Sequence, residues 1–290
     1  MDIAFCVNST FVPYTFVTVK SILVNNYNEE LSFYFLVDRI SPKYERQLIK
    51  IIGDYPNAHC HIIQVDNGLI AGLRTNGVHE CIWYRILLPN YLPSNVERVL
   101  FLDADTLVLG GLRELFSINM EKCAVAGCLD PLHFIADTYD RLGYEPELGY
   151  INAGVLLINL DYWRRECLME IIIGYARENE AIIKYKDQDS INYICRRDKR
   201  ILPLKYGIMD CFLSEDWPWK ESYSEELREC RLHPGIIHFA GNAPWAKEFC
   251  HRPFHDDWQR YNLMLSHPVR RRYITKGLPF LKMMVWKILH

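Results

Sequence analysis

No apolar run in this 290-residue chain reaches the roughly 18–20 residues that a membrane-spanning helix needs. The ten cysteines include no Cys-x-x-Cys pair, which removes the usual signature of a structural zinc site. The first residues, Met1 to Val7, carry neither a basic leader nor a small-residue cleavage site and go directly into an apolar, strand-like run. The expectation is therefore a cytoplasmic protein whose cysteines are reduced, mostly buried thiols. A net charge of -3 lacks the basic excess of a nucleic-acid binder, so no nucleic-acid partner is expected. Internal repeats, low-complexity tracts and long flexible linkers are also missing.

Charge is unevenly spread. From His267 to His290 the chain has Arg270, Arg271, Arg272, Lys276, Lys282 and Lys287 and no acid, so this end carries +6 and the remainder -9. The rest alternates short β-branched or aromatic runs with helical spacing, which predicts βαβ units and a mostly parallel central sheet. Strands are predicted at Ile3 to Val7, Ser32 to Val37, His61 to Val65, Arg98 to Leu102, Cys123 to Leu129 and Gly154 to Leu160. Helices are predicted over Val17 to Val24, from the Ser41-Pro42 start through Ile52, around Tyr84 to Leu88, and after Tyr162 to about Glu180. This gives one α/β domain over residues 1–261 and a basic, aromatic, helical appendage over 262–290.

The chemistry concentrates where strands end. Val99-Leu100-Phe101-Leu102 runs directly into Asp103-Ala104-Asp105, at the carboxyl end of a strand, where open α/β sheets bind ligands. Two carboxylates two residues apart can point to one side and repel unless a cation joins them. Such hard oxygen ligands suit Mg²⁺ or Mn²⁺, which in turn binds a diphosphate. A solvated Asp-x-Asp turn is the plainer alternative. His238, in Gly235-Ile236-Ile237-His238-Phe239-Ala240-Gly241, ends another apolar strand and is a candidate third ligand, or simply a satisfied polar residue. Gly241 would let the backbone approach a phosphate. Small residues flank Asn152 in Asn152-Ala153-Gly154, and Asp187-Gln188-Asp189 offers three hydrogen-bonding side chains for sugar hydroxyls or, alternatively, a helix first turn.

As a set these segments resemble glycosyltransferase family 8, the retaining enzymes that include glycogenin and bacterial lipooligosaccharide galactosyltransferases. The similarity is collinear from Met1 to about Trp245. The resemblance implies a GT-A fold, a single nucleotide-sugar-binding catalytic domain, with UDP-glucose or UDP-galactose as donor and Mn²⁺ as cofactor, Mg²⁺ being the alternative. It implies that Asp103, Asp105 and His238 bind the metal, with Ala104 in the same donor loop, and that Arg85 touches donor sugar and phosphate. Asn152, Ala153 and Gly154 would line the sugar pocket, and Cys6, Asn8, Thr10 and Phe11 would cup the uridine. Asp187 would bind the sugar, Gln188 would lie on the face opposite the leaving group, and Asp189 would be the reserve nucleophile beside it. A same-face substitution is favoured, since a neutral amide is a poor nucleophile. The chain departs from the family pattern in carrying Asn8 where close bacterial relatives have an acid. It also lacks the diphosphate lysine after Gly241, with Lys247 as a stand-in.

The expected partners are a UDP-sugar donor and a glycan acceptor, with a lipid-linked glycan such as lipopolysaccharide as the candidate. Trp217 and Trp219 are offered for acceptor stacking, and the appendage for attachment to the cytoplasmic face of the inner membrane. Two rivals remain: a haloacid-dehalogenase-type phosphatase, from Leu102-Asp103-Ala104-Asp105-Thr106-Leu107, and a catalytically silent sugar-nucleotide or glycan-binding module.

Overall fold

The computed structural model describes residues 1–271. Seven strands form the main sheet in the order β3-β2-β1-β4-β7-β6-β8, and β5 and β9 make a two-stranded ribbon beside it. These are β1 (Asp2–Val7), β2 (Leu31–Val37), β3 (Ala58–Gln64), β4 (Arg98–Leu102), β5 (Thr106–Val108), β6 (Val125–Leu129), β7 (Ile151–Asn159), β8 (Lys199–Ile201) and β9 (Ile236–His238). Four of the six pairings in the main sheet are parallel; β7 runs antiparallel to both β4 and β6. The fold is thus α/β with a mostly parallel central sheet, as predicted.

Alternation along the strands sorts side chains onto the two faces. Ile3, Phe5 and Val7 join one apolar cluster, Ala4 and Cys6 the other. The helix Val12–Asn25 covers the first face, and its polar side chains hold the segment after β4. Thr18 Oγ1 donates to the Thr106 carbonyl at 2.8 Å, Ser21 Oγ accepts from Val108 N at 3.0 Å, and Asn25 Nδ2 donates to the Val108 carbonyl at 3.0 Å. A buried face of hydroxyls and an amide on this helix is thereby spent on backbone that would otherwise lack partners.

Several boundaries differ from expectation. The helix predicted over Tyr84 to Leu88 is a 3-10 helix, Glu80–Leu87, followed by a helical turn, Leu88–Tyr91, in which Pro89 occupies the tolerated first-turn position. The helix predicted from Tyr162 to Glu180 is two, Leu160–Arg165 and Leu168–Glu178, broken at Cys167 with φ 51°. β7 starts three residues earlier than expected: Ile151 pairs with Leu129 of β6, and the Asn192 side chain bonds both the N–H and the carbonyl of Ile151. Trp217 is buried against Phe212 and Phe134, whereas Trp219 is half-exposed and stacks on Phe134 at 4.6 Å.

The helix His255–Leu263 crosses the domain boundary expected at residue 261, and Asn262 is tied to Val269 through both its N–H and its carbonyl, at 2.7 and 3.0 Å. The remainder of the predicted appendage, 272–290, lies outside the described residues. Among the described residues no helix is long and apolar enough to cross a membrane.

Two side chains give testable consequences. Arg164 donates to the carbonyls of Pro89, Leu92, Pro93, Ser94 and Val96, the turn that delivers the chain into β4. Arg164→Ala should lower stability by about 2–3 kcal/mol in chemical denaturation, since charge-assisted bonds are lost from partly buried carbonyls; a change within about 0.5 kcal/mol contradicts this. His255 is fully buried; burial first, then the positive charge of Arg271, pushes its pKa from 6.5 down to about 4, against a backbone hydrogen bond at Asn242. His251 and Arg252 push the same way. Folded His255 holds its proton less tightly than unfolded histidine, so its contribution is present above pH 6.5 and is lost as pH falls through 6.5 toward about 4. His255→Leu should remove roughly 2–3 kcal/mol of that acid-side decline, read from denaturation curves across the window.

Candidate active site

The C-terminal ends of β1, β4 and β6 open at one edge of the sheet, and antiparallel β7 brings its N-terminal end to the same place. Register makes the arrangement exact to the residue: Leu102 pairs with Val155, and Asp103 N donates to the Gly154 carbonyl at 2.8 Å. The ribbon adds the third component, because Thr106 pairs with His238 and Phe239 N donates to the Asp105 carbonyl at 2.9 Å. Asp103, Asp105 and His238, remote in sequence, thus converge.

Their ligand atoms lie within 4.8 Å of one another. His238 Nε2 is 3.5 Å from Asp105 Oδ1 and 3.8 Å from Asp103 Oδ2. Two carboxylate oxygens and one imidazole nitrogen fit Mn²⁺ or Mg²⁺. Space for an ion is kept by Gly154: a Cβ there would sit 2.7 Å from both Asp103 Oδ2 and His238 Nε2. Burial favours a neutral His238 ring, but Asp105 and then Asp103 raise its pKa above the usual value. Burial also acts to raise Asp105, where His238 prevails and holds the carboxyl below its ordinary range. At Asp103 burial wins over Arg85 and His238, and the pKa is raised.

Arg85 joins this cluster to the rest of the site. It is 6% exposed, lies 3.1 Å from Asp103 Oδ1 and 2.9 Å from Asp187 Oδ2, and rests over the Phe101 ring at 4.2 Å. It also donates to the Ala153 carbonyl. Burial drives Asp187 up to about 6, with Arg85 opposing the shift and Asp103 adding to it.

The neutral half lies beyond Arg85. Asn152 Oδ1 accepts from Gly154 N at 2.8 Å and its Nδ2 donates to Asp130 Oδ2 at 2.7 Å. Gln188 Oε1 accepts from Ala153 N at 2.9 Å. Asp187, Gln188 and Asp189 occupy the first turn of the helix Lys186–Ile194. Asp189 does not fit the reserve nucleophile role. It is fully buried, and its oxygens accept from Arg141 at 2.7 and 3.2 Å, from Tyr150 Oη at 2.7 Å and from Lys184 N and Tyr185 N at 2.8 Å each. No lone pair is left to attack.

At the end of β1, Cys6 and Asn8 are buried, while Thr10 and Phe11 are exposed. Asn8 Oδ1 accepts from Thr10 N at 2.9 Å and Phe11 N at 3.1 Å, so only its amide N–H groups remain for a ligand. Ala104 is buried beneath its turn, and Gly241 has φ 84°, which a residue with Cβ rarely adopts. Lys247 is exposed in the short 3-10 helix Lys247–Phe249. Thr106, the phosphatase-like threonine, is fully buried and its hydroxyl donates to the Asp103 carbonyl at 2.8 Å, closing the acidic turn.

Sequence reasoning missed Asp130, Tyr150 and Arg141. Asp130 carried the signal used for Asp103, an apolar strand ending in an acid. Tyr150 and Arg141 carried none, since Arg141 lies 48 residues from the aspartate it binds.

Residues 2–248 match the family described as Glycosyl transferase family 8. Among curated proteins, the chain is 26% identical over 250 residues to a lipopolysaccharide 1,2-glucosyltransferase of Escherichia coli, covering 84% of this chain and 70% of that protein. It is 23% identical over 256 residues to a lipopolysaccharide 1,3-galactosyltransferase of Salmonella typhimurium, covering 84% and 72% respectively. Among solved structures, galactosyltransferase LgtC in complex with donor and acceptor sugar analogs superposes with a TM-score of 0.82 at 22% identity, covering 92% of this chain and 96% of that one.

Gly154→Ala tests the geometry directly. The variant should fold yet bind a divalent cation about 10–100-fold more weakly by calorimetry, because its methyl group crowds the Asp103 and His238 side chains. Unchanged affinity would place the ion elsewhere.

Proposed function

The chain belongs to glycosyl transferase family 8, and from that membership and the site's geometry we propose that it transfers a hexose, galactose or glucose, from a UDP-sugar to a glycan acceptor with retention of configuration. The observation that carries the proposal is the convergence of Asp103, Asp105 and His238 beside the side-chain-free Gly154. These three residues would hold Mn²⁺, or Mg²⁺ as the alternative. When bound, the ion would offset the charge that develops on the departing nucleoside diphosphate.

The other roles follow from position. Cys6, Asn8, Thr10 and Phe11, at the end of β1, suit the nucleoside. Arg85 holds Asp103 and Asp187 in place between the diphosphate and the sugar, with Gly241 near the phosphates. Asn152, Ala153 and Asp187 suit the sugar hydroxyls, and Gln188 suits the face of the sugar opposite the leaving group. With Asp189 occupied by five hydrogen bonds, we assign it a positioning role. Transfer then proceeds on the donor's own face: the acceptor hydroxyl approaches the anomeric carbon as the bond to the diphosphate breaks, and its proton passes to the departing phosphate oxygen.

The relatives named as lipopolysaccharide glucosyl- and galactosyltransferases support lipopolysaccharide, or another cell-surface polysaccharide, as the acceptor class. Trp219, half-exposed on Phe134, suits an acceptor ring. A cytoplasmic enzyme reaching a lipid-linked acceptor at the inner membrane surface fits that class, and this part of the proposal rests on the sequence alone.

A donor screen decides the matter. Purified protein with Mn²⁺ or EDTA is given each common nucleotide sugar, with and without a lipopolysaccharide core acceptor, and nucleoside diphosphate release is scored. Release from a UDP-hexose, abolished by EDTA and reduced at least about 100-fold in Asp105→Ala, is expected. Tight UDP binding with no turnover under any condition would favour the silent binding module instead.

A further inference from the structure

The amide of Gln188 is engaged everywhere but at one point. Oε1 accepts from Ala153 N at 2.9 Å, while Nε2 faces two acceptors, Tyr150 Oη at 3.2 Å and Asp130 Oδ2 at 3.3 Å. A primary amide has two N–H donors and two carbonyl lone pairs, so both donors are taken and one lone pair on Oε1 is left over.

Tyr150 joins Asp130 and Ala153 N in fixing which end is which, and of the three it is the one that can be removed without changing backbone or charge. Its hydroxyl proton is committed to Asp189 Oδ1 at 2.7 Å, so it presents a lone pair to Gln188 and must meet N–H rather than C=O. Asp189 is kept as an acceptor by the two-pronged Arg141 contact and by the N–H groups of Lys184 and Tyr185. Turning the amide over would press its carbonyl against the Asp130 carboxylate and its N–H groups against Ala153 N–H. Tyr150 and Asp189 are both fully buried, so no water competes for the bond between them.

We infer that Tyr150 is a positioning residue for glycosyl transfer, anchored through Asp189 by Arg141, which locks Gln188 with its carbonyl oxygen rather than its nitrogen toward the donor sugar. The inference rests on the proposed transferase reading. In that reaction the anomeric carbon gains positive character as the diphosphate leaves; a carbonyl lone pair stabilises it and amide hydrogens oppose it. No bond to Gln188 forms or breaks, and the proton path is unchanged.

The test is a double-mutant cycle on the full chain, read by steady-state transfer or donor hydrolysis. Tyr150→Phe preserves the ring, and thermal melting checks that it folds. It should lower kcat about tenfold with donor KM within about twofold, and lower kcat by less than about twofold in a Gln188→Ala background. Equal factors in the two backgrounds, or no loss in either, overturn the inference while leaving the transferase reading intact. A parent chain that turns over no nucleotide sugar removes that reading and the inference with it. Independently of turnover, the Gln188 side-chain amide protons, assigned in ¹⁵N NMR by their loss in Gln188→Ala, should exchange with solvent at least about tenfold faster in Tyr150→Phe. Unaltered exchange overturns the lock.

Discussion

One guanidinium organises the site. Arg85 reaches Asp103 at the end of β4, Asp187 at the start of a helix and the Ala153 carbonyl on β7, with the Phe101 ring beneath it. Buried acids with no counter-charge are costly, and removal of a buried partner commonly costs about 3–5 kcal/mol. Three elements that share no sequence neighbourhood are therefore held in one electrostatic unit. Lysine would serve this place poorly, since a planar fork offers several donors to two carboxylates and a carbonyl at once while its carbon sits 4.2 Å from the Phe101 ring.

Around that centre the polar groups separate by type. Asp103, Asp105 and His238 form a charged end suited to a cation and phosphates, whereas Asn152, Gln188 and Tyr150 form a neutral, directional end suited to hydroxyl groups and a developing cationic carbon. Arg85 and Asp187 stand between them. The neutral end borrows its orientation from charges placed behind it: Asp189 and Arg141 never need to touch a ligand for their pairing to matter, because the direction of the Tyr150 hydroxyl passes it forward.

What could be read in the sequence was what period and strand ends encode. β4 was predicted to its exact limits because four apolar residues follow Arg98 and terminate abruptly in an acid, and His238 stood out only as a partner for the acids at that strand end. β7 was placed three residues late, since its start depends on pairing with Leu129 of β6 and on the Asn192 side chain, 41 residues away. The break at Cys167 was hidden for another reason: neither glycine nor proline marks it, although the backbone there is left-handed. Asp189 entered as a reserve nucleophile only through the family resemblance, and the fold shows its oxygens taken up by Arg141, Tyr150 and two backbone N–H groups. Trp217 and Trp219 are two residues apart, yet one is core and the other surface, a distinction that composition does not carry.

The reversal of β7 has a consequence for how such a protein can change. Because β7 is antiparallel to β4, the beginning of one strand and the end of the other are hydrogen-bonded neighbours, with five registered residue pairs behind them. Insertions in the connections between them can reshape the rim without sliding Gly154 past Asp103, since a slip by even one residue would turn the whole of β7 to the wrong face. The cluster of Asp103, Asp105 and His238 is thereby insulated from the loops, and a lineage can vary the rim while that cluster stays mechanically fixed.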